Sequence, residues 1–142
     1  MPVRPIPEGH PRVSPYLIVH RAARLLDFMT AVFAAQVLTR HTTPDGDVMH
    51  AEARIGDSVV MIGGAGEKWP PIPAALHIYV EDVDALHRRA VEWGATSVSG
   101  PADQFYGDRS ATVKDDSGTT WFISTHVEDV SEDEMARRMA AR

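Results

Sequence analysis

The chain repeats its own pattern at an offset of 61 residues, which commits it to two copies of one supersecondary unit. YLIVHRAARLLDFMTAVFAA starts at residue 16 and HIYVEDVDALHRRAVEWGA at residue 77. Under that shift Val19 falls on Val80, Leu25 on Leu86, Ala34 on Ala95 and Ile62 on Ile123, and IGDS (55–58) falls on DSGT (116–119). Both tetrapeptides are turn formers set between alternating apolar runs. Each half therefore reads strand, helix, strand, strand, strand.

In the first half a strand is expected over 15–19, and Ala22, Leu25, Leu26, Met29, Val32 and Phe33 recur at helical spacing. A strand near 36–40, a PDGD turn at 44–47 and a hairpin around Gly56-Asp57 follow. In the second half, strand 75–80 leads to a helix over 83–93, with Asp82 as N-cap and Gly94 as the C′ residue. Strands are expected near 96–98, 110–114 and 120–125. Residues 1–12 then form an N-terminal arm, 13–63 a first module, 64–74 a linker, 75–127 a second module, and 128–142 a C-terminal helix. Ser131 and Glu134 have the S-x-x-E spacing of a capping box for that helix.

Charge and composition exclude several functions. A net charge of -6 leaves no basic patch to hold a phosphate backbone, so no nucleic-acid partner is expected. With no cysteine, disulfide and thiolate chemistry are excluded. No stretch approaches the ~20 apolar residues of a membrane span, and the proline-rich beginning lacks an apolar signal region. The expectation is a cytoplasmic protein without a membrane partner. No glycine-rich phosphate loop, G-x-S-x-G elbow or H-E-x-x-H helix is present, which argues against nucleotide-cofactor enzymes and those hydrolases.

The repeated βαβββ unit resembles the vicinal oxygen chelate superfamily of glyoxalases, bleomycin-resistance proteins and extradiol dioxygenases, over about residues 13–127. PYLIV, VMHAEARIGDSVVM, LHIYVEDVDAL, DQFYGDRSATVKD and THVEDVS resemble its PhnB-like branch. The resemblance implies an α+β fold in which two βαβββ modules form a curved mixed sheet around a central cleft, with an added C-terminal helix. It also implies a homodimer. The four metal positions of the superfamily fall near Ser14, Met61, Ala75 and Phe122. That set lacks the imidazoles and carboxylates that zinc, nickel, manganese or iron would need, so glyoxalase I and dioxygenase chemistry is not expected. No cofactor is assigned; the alternative is a divalent metal on a displaced set of His50, Glu52 and His77.

Strand alternation sorts the remaining residues. A two-residue turn at Gly56-Asp57 would place Ile55 opposite Ser58, Ala53 opposite Val60, Glu52 opposite Met61 and His50 opposite Gly63. His50, Glu52 and Met61 then share the cleft face, while Ala51, Ala53, Val60 and Ile62 face the helix. In the second half His77 and Tyr79 point inward on one strand, and Phe122, Ser124 and His126 on another. Trp121 faces the core. Glu52, His50 and His77 are the candidate proton carriers, and a desolvated Glu52 would have the raised pKa of a general base; alternatively Glu52 pairs with His50. Tyr16, Met61, Tyr79, Phe122 and Ser124 are candidate ligand contacts.

GPADQFYGDR (100–109) reads as a ligand-covering loop. In it Tyr106 would stack on the ligand and Arg109 would bind an anion, unless Arg109 pairs with Asp115 or Asp116. The alternative reading of His126 is an anchor for the C-terminal tail, and His10, His20, His41 and His87 are read as solvated. The functional expectation is a small-molecule-binding protein, a lyase or isomerase working by acid-base chemistry, with a non-catalytic sequestering protein as the alternative.

Overall fold

The computed structural model describes residues 2–142. It comprises two units, one ending at Pro73 and one running from Ala74 to Arg142. The first contains β1 (Tyr16–Val19), α1 (Ala22–Phe33), β2 (Gln36–Thr42), β3 (Val48–Ile55) and β4 (Ser58–Gly64). Its sheet has the order β1-β4-β3-β2, with β1 parallel to β4 and the other pairs antiparallel. The β3–β4 register places His50 opposite Gly63, Glu52 opposite Met61, Ala53 opposite Val60 and Ile55 opposite Ser58, as the turn chemistry predicts. Gly56 supplies the positive φ of 57° that this tight connection needs.

Helix α1 packs over β3 and β4. Leu25, Leu26, Met29 and Val32 on its inner face are buried, as are Leu17, Ala51, Ala53, Val60 and Ile62 on the sheet. Each large aliphatic side chain so removed from water contributes about 1.5–3 kcal/mol. Residue 21 offers no side-chain cap to the helix. Asp47 supplies one from the turn before β3, its carboxylate accepting from the Ala23 amide at 3.0 Å. At the other end Ala34 adopts the left-handed conformation at φ 55°.

The second unit contains β5 (Ala75–Tyr79), α2 (Val83–Glu92), β6 (Thr96–Asp103), β7 (Asp108–Lys114), β8 (Thr120–His126) and α3 (Glu132–Ala140). Its sheet repeats the first topology, β5-β8-β7-β6, with β5 parallel to β8. Asp82 caps α2 by accepting from the Ala85 amide, and Gly94, at φ 99°, ends it. Amide bonds from Gly94 to Val91 and from Ala95 to Ala90 complete a Schellman motif. Trp121 is core, 1% exposed, and its Nε1–H donates to Asp115 Oδ2 at 2.7 Å.

Two local expectations are corrected. The segment 100–109 is not one long loop, because β6 runs to Asp103 and β7 begins at Asp108. Gly100 and Pro101 lie in β6, an edge strand whose register shifts absorb them. The capping box of α3 is half formed: Ser131 Oγ accepts from the Glu134 amide at 3.1 Å. The Glu134 carboxylate turns instead to Arg137 and Arg138.

Candidate functional site

On the first sheet, the face opposite α1 carries Tyr16 from β1, His50 and Glu52 from β3 and Met61 from β4, with Tyr16 directly beside Met61. The Tyr16 hydroxyl lies 3.1 Å from His50 Nδ1, and His50 Nε2 lies 3.3 Å from Glu52 Oε2. One tautomer satisfies both bonds: Nε2–H donates to the carboxylate and Nδ1 accepts from the phenol. The other Glu52 oxygen is taken by His10, whose Nε2 stands 2.6 Å from Oε1. His10 Nδ1 points at the Glu8 carbonyl oxygen, 3.4 Å away. With acceptors at both ring nitrogens, His10 is suited to the doubly protonated form, and its pKa is raised, chiefly by Glu52 and then by the Glu8 carbonyl.

Glu52 therefore behaves opposite to the expectation of a desolvated base. Its pKa is lowered, with the His10 hydrogen bond the largest cause; burial opposes the shift and His50 reinforces it. The carboxylate is a held anion. Reading His10 as solvated is also corrected, since it is half-buried against a residue 42 positions away. His41 is exposed, as expected, yet its ring stacks against that of His50 with planes 24° apart and centroids 6.3 Å apart.

On the second sheet, His77 and Tyr79 of β5 and Phe122 of β8 are exposed on the corresponding face, with His77 paired beside Phe122. His77 Nε2 lies 3.0 Å from Ser124 Oγ, which is itself 2.8 Å from Ser110 Oγ. The His77 and Tyr79 rings meet edge to face at 4.6 Å. Tyr79 donates its hydroxyl to Asp108 Oδ2 at 2.9 Å, and this contact raises the tyrosine pKa. Asp108, 5% exposed, was not singled out in the sequence, where Gly107-Asp108 reads as a turn. Its other oxygen meets His126 Nδ1 at 2.9 Å, while His126 Nε2 meets Asp129 at 2.7 Å. Two carboxylates facing both ring nitrogens raise the His126 pKa, Asp129 first and Asp108 second. His126 thus fastens the segment after β8 to the sheet.

Arg109 faces the other way. Alternation along β7 puts it on the side of α2, where it grips Asp84 through Nε at 2.9 Å and Nη2 at 3.0 Å. A third bond reaches Asp103 at 3.2 Å. These partners replace the expected Asp115 or Asp116; Asp115 instead serves Trp121 and the turn that follows it. Tyr106 sits in the short β6–β7 connection, partly exposed and edge to face with Phe105 at 5.2 Å. That connection is held by the chain end: Arg138 donates to the Phe105 carbonyl at 2.9 Å, and the Arg142 guanidinium lies 4.4 Å from the Phe105 ring centre.

Among the described residues no group of three or more His, Asp or Glu is placed to hold a metal ion. The superfamily's metal positions do not fit one by chemistry either: Met61 and Phe122 bring a thioether and a hydrocarbon ring beside Tyr16 and His77. His50 and Glu52 belong to the first unit and His77 to the second. Among the described residues no helix is long and apolar enough to cross a membrane.

The family described as the Glyoxalase/Bleomycin resistance protein/Dioxygenase superfamily matches residues 10–123. An uncharacterized protein of Mycobacterium bovis is 36% identical over 143 residues, spanning 93% of this chain and 94% of its own. A Mycobacterium tuberculosis protein has the same identity, spanning 93% of this chain and 84% of its own. Among solved structures, TioX from Micromonospora sp. ML1 superposes with a TM-score of 0.66 at 24% identity, covering 81% of this chain and 99% of that one. TnmS3, an antibiotic binding protein from Streptomyces sp. CB03234, gives 0.60 at 19% identity, covering 82% and 99%. At these identities the structures share the fold.

Proposed function

Since the chain belongs to the Glyoxalase/Bleomycin resistance protein/Dioxygenase superfamily, we propose that it binds a small organic molecule on the sheet faces opposite its helices, as a binding or sequestering protein. One observation carries this reading: those faces present exposed rings, Tyr16, Tyr79 and Phe122, above carboxylates already engaged by histidine. Exposed rings backed by satisfied polar groups suit stacking recognition of a planar ligand. A held Glu52 anion, by contrast, lacks the raised pKa that places a carboxylate base near neutral pH. The antibiotic-binding description of TnmS3, a fold relative, is consistent with this class of ligand.

Acid-base catalysis as a lyase or isomerase is the second reading. It is favoured by the His77–Ser124–Ser110 chain, which could carry a proton away from a ligand at His77. Membership of the PhnB-like branch, a homodimer and a cytoplasmic location complete the proposal, and light scattering after size exclusion tests the dimer. The binding reading is tested by thermal shift and ligand-observed NMR with a panel of planar aromatic antibiotics, on the wild type and on Tyr79→Ala and Phe122→Ala. Recovery of a bound compound unchanged, with binding weakened in both variants, is the expected result. Chemical conversion of the compound, lost in His77→Gln, would replace binding by catalysis. Failure of the whole panel to bind would overturn both.

A further inference from the structure

We propose that Glu52 is the recognition group for an organic cation, and that His10 on the N-terminal arm occupies its place as an internal stand-in which the cation displaces. This rests on the reading of the face opposite α1 as a ligand surface and adds to it a charge and a gate. Glu52 is largely shielded, its side chain 16% exposed, and it lies beside the His50 ring, which in turn meets Tyr16. A desolvated carboxylate next to aromatic faces is a site for an ammonium or guanidinium group, held by an ion pair and by ring quadrupoles. The group now on the carboxylate has that chemistry when protonated: the His10 ring, its Nε2 2.6 Å from Oε1.

What brings this ring there is a segment with little else to hold it. Residues 2–9 are exposed, and the segment turns at Gly9, φ 79°, with His10 N bonded to the Pro7 carbonyl. Beyond His10, the polar ties to the sheet among the described residues of the arm come down to one bond from Arg54 Nη2 to the Gly9 carbonyl at 3.2 Å. The closed arrangement also leaves Arg54 Nε buried without a partner. An arm tied by one ion pair and one hydrogen bond opens at small cost, whereas a core element does not. The net charge of -6 adds a long-range attraction for cations.

The groups that face the His10–Glu52 pair are the Glu8 backbone carbonyl from the arm, Tyr16 from β1 and His41 from β2 through His50, and His50 and Arg54 from β3; Met61 from β4 carries no charge. Loss of the His10 proton weakens the stand-in and leaves Glu52 charged. A cation whose own charge does not titrate should therefore bind more tightly as pH rises, for as long as His10 is present.

The test uses benzyltrimethylammonium as probe on the full chain, followed by amide shifts of β3 and β4 between pH 6 and 8.5, with benzyl alcohol as the uncharged control. Expected are binding that tightens with pH in the wild type, binding about tenfold tighter at pH 6 and less dependent on pH in His10→Ala, and no binding in Glu52→Gln. His10→Ala leaves His41 and His50 in place, so the difference between the two proteins reports His10. His10→Gln, which keeps a donor without the charge, should fall between the two. Equal affinity in wild type and His10→Ala at every pH, or binding retained in Glu52→Gln, would overturn the proposal. So would benzyl alcohol binding as well as the cation, which would leave the face a ligand surface; silence of these amides toward every aromatic in the screen would instead remove the parent reading.

Discussion

The Tyr16 ring fills the space that a side chain at residue 63 would need: a Cβ on Gly63 would come within 2.8 Å of Tyr16 Cε1. The same place in the second sheet is taken by Ser124, whose hydroxyl bonds His77. One half thus accommodates a phenol where the other installs a hydroxyl. Gly63→Ala should push Tyr16 off His50 Nδ1 at a cost below about 1 kcal/mol, because the ring is half exposed and can swing aside. Chemical denaturation gives the cost, and the His50 ring resonances report the lost bond. A stable variant with unchanged His50 resonances would show that Tyr16 does not depend on the glycine.

Stability should depend on pH through His126 and Glu52, with opposite signs. The His126 pKa is raised from its ordinary value of 6.5, so its contribution is complete below that value and is lost as pH rises through the folded one. Glu52 is lowered from 4.5, so its contribution is present above that value and is lost as pH falls through the folded one. The wild type should lose thermal stability between pH 6.5 and 8.5 more steeply than His126→Asn. It should lose more than Glu52→Gln below pH 4.5. Parallel pH profiles for wild type and His126→Asn would show that Asp108 and Asp129 do not hold the imidazolium.

The repeat was legible because three of its parts keep one spacing. Tyr16 pairs with Met61, and 61 residues on His77 pairs with Phe122. The middle strands do not keep it: His50 lies opposite Gly63, and its counterpart opposite Ser124 is Ser110, 60 residues on. The longer turn around Asp115 in the second half absorbs the difference. The β3–β4 register was readable because a two-residue turn with glycine allows one pairing. The extent of β6 was not, since Gly100-Pro101 carries the local signal of a loop and only the edge position tolerates it. His10 was out of reach for a different reason: its partner Glu52 is far along the chain, and no local periodicity encodes such a contact. Asp108 was hidden behind the turn signal of the glycine before it.

Ala34 ends α1 in the left-handed region at φ 55°, a conformation that costs residues with a Cβ about 1–2 kcal/mol. The site is exposed, so nothing packs on its methyl group. Ala34→Gly should remove that strain against a smaller entropic loss and stabilise the protein by about 1 kcal/mol. Equilibrium urea denaturation measures it, and a loss of stability would mean that the helix end relaxes elsewhere.

Trp121 and Asp115 form a buried polar contact in the second unit, with the indole N–H 2.7 Å from the carboxylate and the two residues 1% and 7% exposed. Trp121→Phe keeps an aromatic ring but removes the donor and some volume. The cost should be about 2–4 kcal/mol, part cavity and part lost charge-assisted bond. Adding Asp115→Asn to Trp121→Phe should cost less than Asp115→Asn alone, because the carboxylate has already lost its indole partner. Strict additivity in that double-mutant cycle would deny the coupling.

Arg109 is the clearest case in which alternation decides function. Its guanidinium is committed to Asp84 and Asp103 on the α2 side of the sheet, away from the face that carries His77, Tyr79 and Phe122. The proximity of Arg109 holds Asp84 below the usual carboxylate range, so the pair stays ionised across neutral pH. Arg109→Ala should therefore lower Tm, more at low salt than at high salt, because the pair is partly exposed. It should leave the dissociation constant of any ligand found in the aromatic screen within about twofold of the wild-type value, as expected for a site without shared partners. A large loss of affinity for an anionic ligand with Tm unchanged would reverse the assignment and return Arg109 to the binding face.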